Sequence, residues 1–215
     1  MKKIIGLSFI ATLFIVLSSF VYLHKTATPQ NETEKYPTIA IGAKIPSGKG
    51  LMMGIDGKET DLIGQAKANG LLVIFSSNTC PFVVKWEDRY PMLKKMCDRF
   101  NIGMVMINSN ELKRDGDDSY ENMKLHAKEK NYTWPYLMDN ASVVANAFGA
   151  KTTPHVFLFD KYYKLVYKGA IDDNYGSAME VKQQYAIDAI TSLASGTKVE
   201  PAETKPVGCS VKRKI

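Results

Sequence analysis

Residues 70–86 read GLLVIFSSNTCPFVVKW, and the fold turns on how this stretch divides. Gly70–Phe75 is an unbroken apolar run, the pattern of a strand buried on both faces. Four polar residues, Ser76 to Thr79, then lead into Cys80 and Pro81. Proline at a first helical turn forfeits no hydrogen bond, so a helix is predicted over Pro81–Phe100. Cys80 therefore stands at the carboxyl end of a strand, the edge where α/β sheets place their sites. The first-turn N–H groups and the helix dipole favour an anion there, so a thiolate is stabilised. Lys85, about one turn along, is expected to add positive potential. Such a thiolate is a nucleophile toward disulfides or peroxides. The competing reading is an inert cysteine packed as a small hydrophobe.

Working outward, Gly103–Ile107 is a second buried strand, and Ser119 is placed to cap a helix over Tyr120–Lys130. Asn140 is expected to cap Ala141–Phe148, with Gly149 ending it. Met52–Gly54 and Lys58–Thr60 flank the turn signal Asp56-Gly57. His155–Phe159 and Leu165–Gly169 form a further hairpin, and Met179–Ser195 is a last amphipathic helix ended by Gly196. Strands alternating with helices of this length imply βαβ units and an α/β sheet, finished here by an antiparallel hairpin and a helix. Thr153-Pro154 precedes the apolar VFLF strand, a place where a cis-proline is used.

The rest of the chain divides by composition. Lys2 and Lys3 precede an uncharged run, Ile4 to Leu23, which as a helix rises about 30 Å, the depth of a bilayer's hydrocarbon core. Residues 1–25 thus read as a membrane anchor or a cleaved signal segment. Either one sends the remainder to the extracytoplasmic side (periplasmic or secreted), where disulfides persist. Residues 26–38 form a polar tether, 39–196 the globular domain, and 197–215 a tail without periodicity that carries Cys209. The formal charge of +6 is terminal: residues 1–25 and 197–215 each carry a net +3, and the middle sums to zero. No basic domain face exists to track phosphates, so nucleic acid is excluded as a partner. Three cysteines without C-x-x-C spacing exclude a disulfide-stapled miniprotein or structural zinc.

Taken in order, SSNTCPFVVKWEDR (76–89), INSN (107–110), DSYENMK (118–124), YLMD (136–139), the Thr153-Pro154 step, FLFD (157–160), KLVYKGAIDDN (164–174) and GCSVK (208–212) resemble the peroxiredoxin-like proteins (redoxins) of the thioredoxin superfamily. The resemblance spans roughly residues 40–213. It implies a thioredoxin-like fold, a central mixed sheet flanked by helices, with Cys80 as reactive thiol and Thr153-Pro154 as a cis-proline step beside it. It brings Ser77, Thr79, Pro81 and His155 to the substrate side. Ser77 stands where peroxiredoxins have the threonine whose hydroxyl holds a peroxide oxygen. The sequence departs from thioredoxins in having Val83 where they have a second cysteine, and Thr79 where related reductases have Trp. It departs from peroxiredoxins in having Val73 where they have proline, and neither Arg89 nor Arg114 can be matched to their thiol-activating arginine.

A partner thiol is still needed. Cys97 follows Cys80 by 17 residues on the same predicted helix, about 25 Å away, too far for a disulfide, and reads as core packing. Cys209, in a mobile tail, can swing to Cys80 and resolve its oxidised form. His155 is a candidate for proton transfer. Glu87, Asp88 and Arg89 read as a solvated helix face, and Trp86 and Trp134 as packing. No cofactor or metal is implied. Two functions stand: an exported thiol oxidoreductase acting on disulfides or hydroperoxides and recycled by a thiol reductant, or a redox-inactive binding or scaffold module.

Overall fold

The computed structural model describes residues 35–214. The anchor or signal segment expected over residues 1–25 lies outside them, as does most of the tether. Among the described residues no helix is long and apolar enough to cross a membrane.

Along the chain the elements are β1 (Met52–Gly54), β2 (Glu59–Thr60), α1 (Leu62–Gln65), β3 (Gly70–Ser76), α2 (Pro81–Trp86), α3 (Tyr90–Arg99), β4 (Gly103–Asn108) and α4 (Tyr120–Glu129). Then follow β5 (Tyr136–Met138), α5 (Val143–Phe148), β6 (Thr152–Thr153), β7 (His155–Asp160), β8 (Leu165–Gly169), α6 (Tyr185–Ser195) and β9 (Cys209–Ser210). The main sheet has seven strands in the order β2-β1-β5-β4-β3-β7-β8, and β6 pairs with β9 in a separate ribbon. β3 runs parallel to β4 and antiparallel to β7, so the sheet is mixed, as the resemblance implies.

Alternation along the central strands builds a core on each face of the sheet. Leu72, Ile74, Met106, Val156 and Leu158 pack with Leu93, Cys97 and Ile190 on one side. Leu71, Val73, Phe75, Ile107, Phe157 and Phe159 pack with Leu62 and Phe148 on the other. Each such side chain, fully buried, contributes about 1.5–3 kcal/mol. Cys80 belongs to the first layer.

Four expectations need correcting. The helix predicted over Pro81–Phe100 is broken by a 3₁₀ turn at Glu87–Arg89. Pro91 explains the break, because its ring excludes the helical position of the Glu87 carbonyl and it offers no N–H. Glu87 and Arg89 are accordingly not a solvated face: Glu87 is held by His126 at 2.6 Å and Lys130 at 2.7 Å, and Arg89 by Asp172 at 3.2 Å. Before α5 the cap is Asp139 and not Asn140, its carboxylate accepting the Val144 and Ala145 N–H groups at 3.0 and 2.9 Å. The last helix starts at Tyr185, since Val181 is extended and ends a 3₁₀ turn at Ala178–Glu180.

The tail is also fastened, not loose. Residues 202–204 run along β8, with Lys168 N–H donating to Ala202 O and Thr204 N–H to Lys168 O, both at 3.0 Å. Beyond them β9 lies antiparallel to β6, with Cys209 opposite Thr153.

Candidate active site

Cys80 is the residue at which β3 hands over to α2, and it precedes Pro81 at the first helical turn. It is only 5% exposed, yet its neighbours Thr79 and Pro81 lie at the surface. The Cys80 thiol donates to the Thr153 carbonyl at 3.1 Å, and the Thr153–Pro154 peptide bond is cis. Burial pushes this thiol up, but the Cys209 thiol beside it, the Thr153 side chain and the Val83 and Cys209 N–H groups favour its charged form and outweigh burial. The result lies below the ordinary thiol value. The Lys85 ammonium sits over the Tyr175 ring, 5.0 Å from the centroid.

Cys209 is brought to the same place from the far end of the chain. The β6–β9 pairing sets it opposite Thr153, whose carbonyl accepts from the Cys80 thiol, and the two thiols shift each other's acidity in opposite directions. Burial, then the contact with Cys80, pushes the Cys209 thiol up to about 11. Its seat depends on Gly208, where a Cβ would fall 2.3 Å from the Thr153 carbonyl oxygen. The tail is already seated beside the cis-proline step, with no swing needed to bring Cys209 there. All three cysteines are unpaired, so the site is a reduced dithiol.

Under the Cys80 loop lies a buried carboxylate that the sequence reading did not find. Asp118 is 1% exposed and accepts from Asn78 N–H (2.8 Å), Ser77 Oγ (3.1 Å), Asn108 Nδ2 (2.7 Å) and Asn110 Nδ2 (2.9 Å). Asn110 is in turn joined to the tail, its Oδ1 accepting the Lys212 N–H at 2.8 Å. A signal was present in the sequence: each buried strand ends in polar residues, Ser76–Asn78 after one and Asn108–Asn110 after the other, and buried polar groups need partners.

Two proposed substrate-side residues are not available to a substrate. Ser77 is 2% exposed, and its hydroxyl is committed to Asp118. His155 is fully enclosed on the opposite face of the sheet, its ring 4.4 Å from that of Phe157 and its Nδ1 accepting the Lys151 N–H at 3.2 Å. Burial, with Lys151 and Lys168 nearby, holds the imidazole neutral down to about 3. It cannot shuttle protons to Cys80, because strand alternation turns it away. Arg89 is engaged by Asp172, and Arg114 by the Asp118 and Asn108 carbonyls. Thr79 and Pro81 do flank the sulfur at the surface. Among the described residues no group of three or more His, Cys, Asp or Glu is placed to hold a metal ion.

A mixed sheet of this order, with a cysteine where a central strand gives way to a helix, is the thioredoxin-like arrangement, and the chain is of the thioredoxin-fold redox class. It belongs to the Redoxin family, whose model matches residues 40–185. The tail with Cys209 falls beyond that match. No curated protein matches the chain. Among solved structures it is similar to a conserved uncharacterized protein from Geobacillus kaustophilus, with 30% identity, 83% of this chain and 95% of that chain covered, and a TM-score of 0.76. A hypothetical protein from Sinorhizobium meliloti 1021 matches at 28% identity over 83% and 97% of the two chains, with a TM-score of 0.75. Peroxidoxin BcpB from Mycobacterium tuberculosis shares the fold at 16% identity, covering 74% of this chain and 95% of its own, with a TM-score of 0.51.

Proposed function

We propose that the protein is a thiol–disulfide oxidoreductase in which Cys80 attacks and Cys209 resolves. The observation that carries this reading is the meeting of both cysteines at Thr153, whose carbonyl accepts from the Cys80 thiol at 3.1 Å while β9 sets Cys209 opposite it. The Cys80 thiolate attacks a substrate disulfide; one substrate sulfur leaves with the bonding electrons and takes a proton, and a mixed disulfide forms. Cys209 then loses its proton and attacks the Cys80 sulfur. The second substrate sulfur leaves and is protonated, and the protein holds a Cys80–Cys209 disulfide. Two electrons and two protons have passed to the substrate, and an external thiol reductant returns them.

The coupling of the two thiols supports this order. The negative Cys80 sulfur helps to hold the Cys209 proton. Once Cys80 is tied up in a mixed disulfide that charge is gone, so Cys209 becomes more acidic at the step where it must attack.

Hydroperoxides are the weaker alternative substrate. The hydroxyl and the guanidinium groups that would polarise a peroxide, Ser77, Arg89 and Arg114, are all engaged elsewhere. Insulin disulfide reduction and hydrogen-peroxide consumption, run side by side with dithiothreitol as the thiol source, test the reading. Wild type is expected to accelerate the first assay. Cys80→Ser is expected to lose at least about a hundredfold, and Cys209→Ser to stall as a mixed disulfide. A Cys80→Ser rate equal to wild type, or oxidised wild type without an 80–209 linked peptide, would favour the scaffold reading.

A further inference from the structure

We infer that Asn110 is the positioning residue that fixes Cys209 against Cys80, joining with its one side-chain amide the carboxylate that anchors the Cys80 loop to the strand that carries Cys209. This rests on Cys80 and Cys209 being the redox pair.

The β6–β9 pairing sets Cys209 opposite Thr153, and Asn110 ties the strand that carries Cys209 to the loop that carries Cys80. Asn110 is 3% exposed, at the carboxyl end of β4, and each end of its amide has one partner. Its Nδ2 donates to Asp118 Oδ2 at 2.9 Å, and Asp118 pins the approach to Cys80 through Asn78 N–H at 2.8 Å and Ser77 Oγ at 3.1 Å. Its Oδ1 accepts the Lys212 N–H at 2.8 Å, three residues beyond Cys209. Its own N–H donates to Asn108 Oδ1 at 3.1 Å, and Asn108 Nδ2 returns to Asp118 at 2.7 Å. The amide is thus fixed in direction, donor toward the carboxylate and acceptor toward the tail. On the tail side Lys212 O accepts from Leu112 N–H at 2.9 Å and Val211 N–H donates to Lys151 O at 3.2 Å. Asn110 is the link that refers both sulfurs to one buried carboxylate.

The role is one of effective concentration: a resolving thiol held in register forms its disulfide far more readily than one on a loose segment. The experiment equilibrates the full chain with a glutathione redox buffer. There the dithiol gives two electrons and two protons to oxidised glutathione, which leaves as two reduced molecules while the Cys80–Cys209 bond forms. Asn110→Ala is expected to lower that equilibrium constant about tenfold, the scale of a buried hydrogen bond left unmade. Lys212→Pro deletes the tail N–H that Asn110 accepts, together with the lysine side chain and with φ fixed by the ring, and decides the matter against the Lys212→Ala control if Asn110→Ala does not fold. It is expected to show a loss of at least about fivefold, whereas Lys212→Ala keeps the N–H and stays within about twofold of wild type. A Lys212→Pro constant within twofold of wild type overturns the inference while leaving the redox pair intact. Wild type that forms no Cys80–Cys209 disulfide overturns the pair itself.

Discussion

Cys80 and Cys97 carry the same sulfur and share one hydrophobic layer, 5% and 0% exposed, yet they are opposite groups chemically. Cys97 lies inside α3; burial, with Asp98 adjacent, pushes its thiol up to about 12. Cys80 is pulled the other way by its surroundings: the Cys209 thiol, the Thr153 side chain, the Val83 N–H at the start of α2 and the Cys209 N–H in β9. Burial alone therefore predicts nothing about a thiol. What matters is whether the surrounding atoms favour a negative sulfur, and here most of them come from the Thr153 and Cys209 segments.

The largest break in this comparison is expected from Gly208→Ala. The added methyl meets the Thr153 carbonyl oxygen at 2.3 Å, lifts β9 from β6, and removes the donors that Cys209 provides. Cys80 then moves toward the condition of Cys97. Formation of the 80–209 linked peptide under mild oxidation, followed by mass spectrometry, should slow by about tenfold or more. An unchanged rate would mean that the tail does not need this close approach.

A finer test labels the sulfurs. Iodoacetamide should modify Cys80 with a midpoint below the ordinary thiol value and leave Cys97 unlabelled across neutral pH. Cys209→Ala removes a donor to the thiolate, so the Cys80 midpoint should rise and its labelling at pH 7 should fall several-fold. Peptide-resolved labelling against pH reads both sites at once.

The last test leaves the redox site and concerns His155, a third buried titratable group, in which burial again prevails. Its imidazole stays neutral in the fold down to about 3, but takes a proton near 6.5 once the chain unfolds. The unfolded state thus binds more protons in that window, and stability falls as pH drops through it by about 1.4 kcal/mol per unit. His155→Gln keeps an acceptor for the Lys151 N–H without titrating. Urea unfolding should show a shallower loss for the variant between pH 6.5 and 5, by about 2 kcal/mol.

What the sequence discloses follows from how local each cause is. β3 and the cysteine after it are readable because a continuous apolar run and a first-turn proline act within a few residues. Ser119 is readable as a cap for the same reason, and it accepts the Asn122 N–H as expected. Cys209 stands out by composition, but its docking rests on a two-residue strand, too short to leave any period. The Asp118 hub joins loops that meet only in space, and so hides among ordinary polar residues. Ser77 and His155 mislead for one shared reason: their positions along the chain are right, but one is consumed by a hidden carboxylate and the other is turned to the wrong face. The break in the helix after Pro81 is legible in Pro91, whose ring cannot follow a continuous α-helical turn.

The ribbon that unites β6 with β9 has a bearing on how the molecule is made. A polypeptide is synthesised amino end first, so Cys80 and its sheet leave the ribosome well before Cys209 does. The nascent protein therefore passes through an interval in which the Cys80 sulfur is uncovered and lacks the groups that Cys209 later brings to it. Whatever guards a lone thiol from stray oxidants must act during that interval, and its need ends when the ribbon closes.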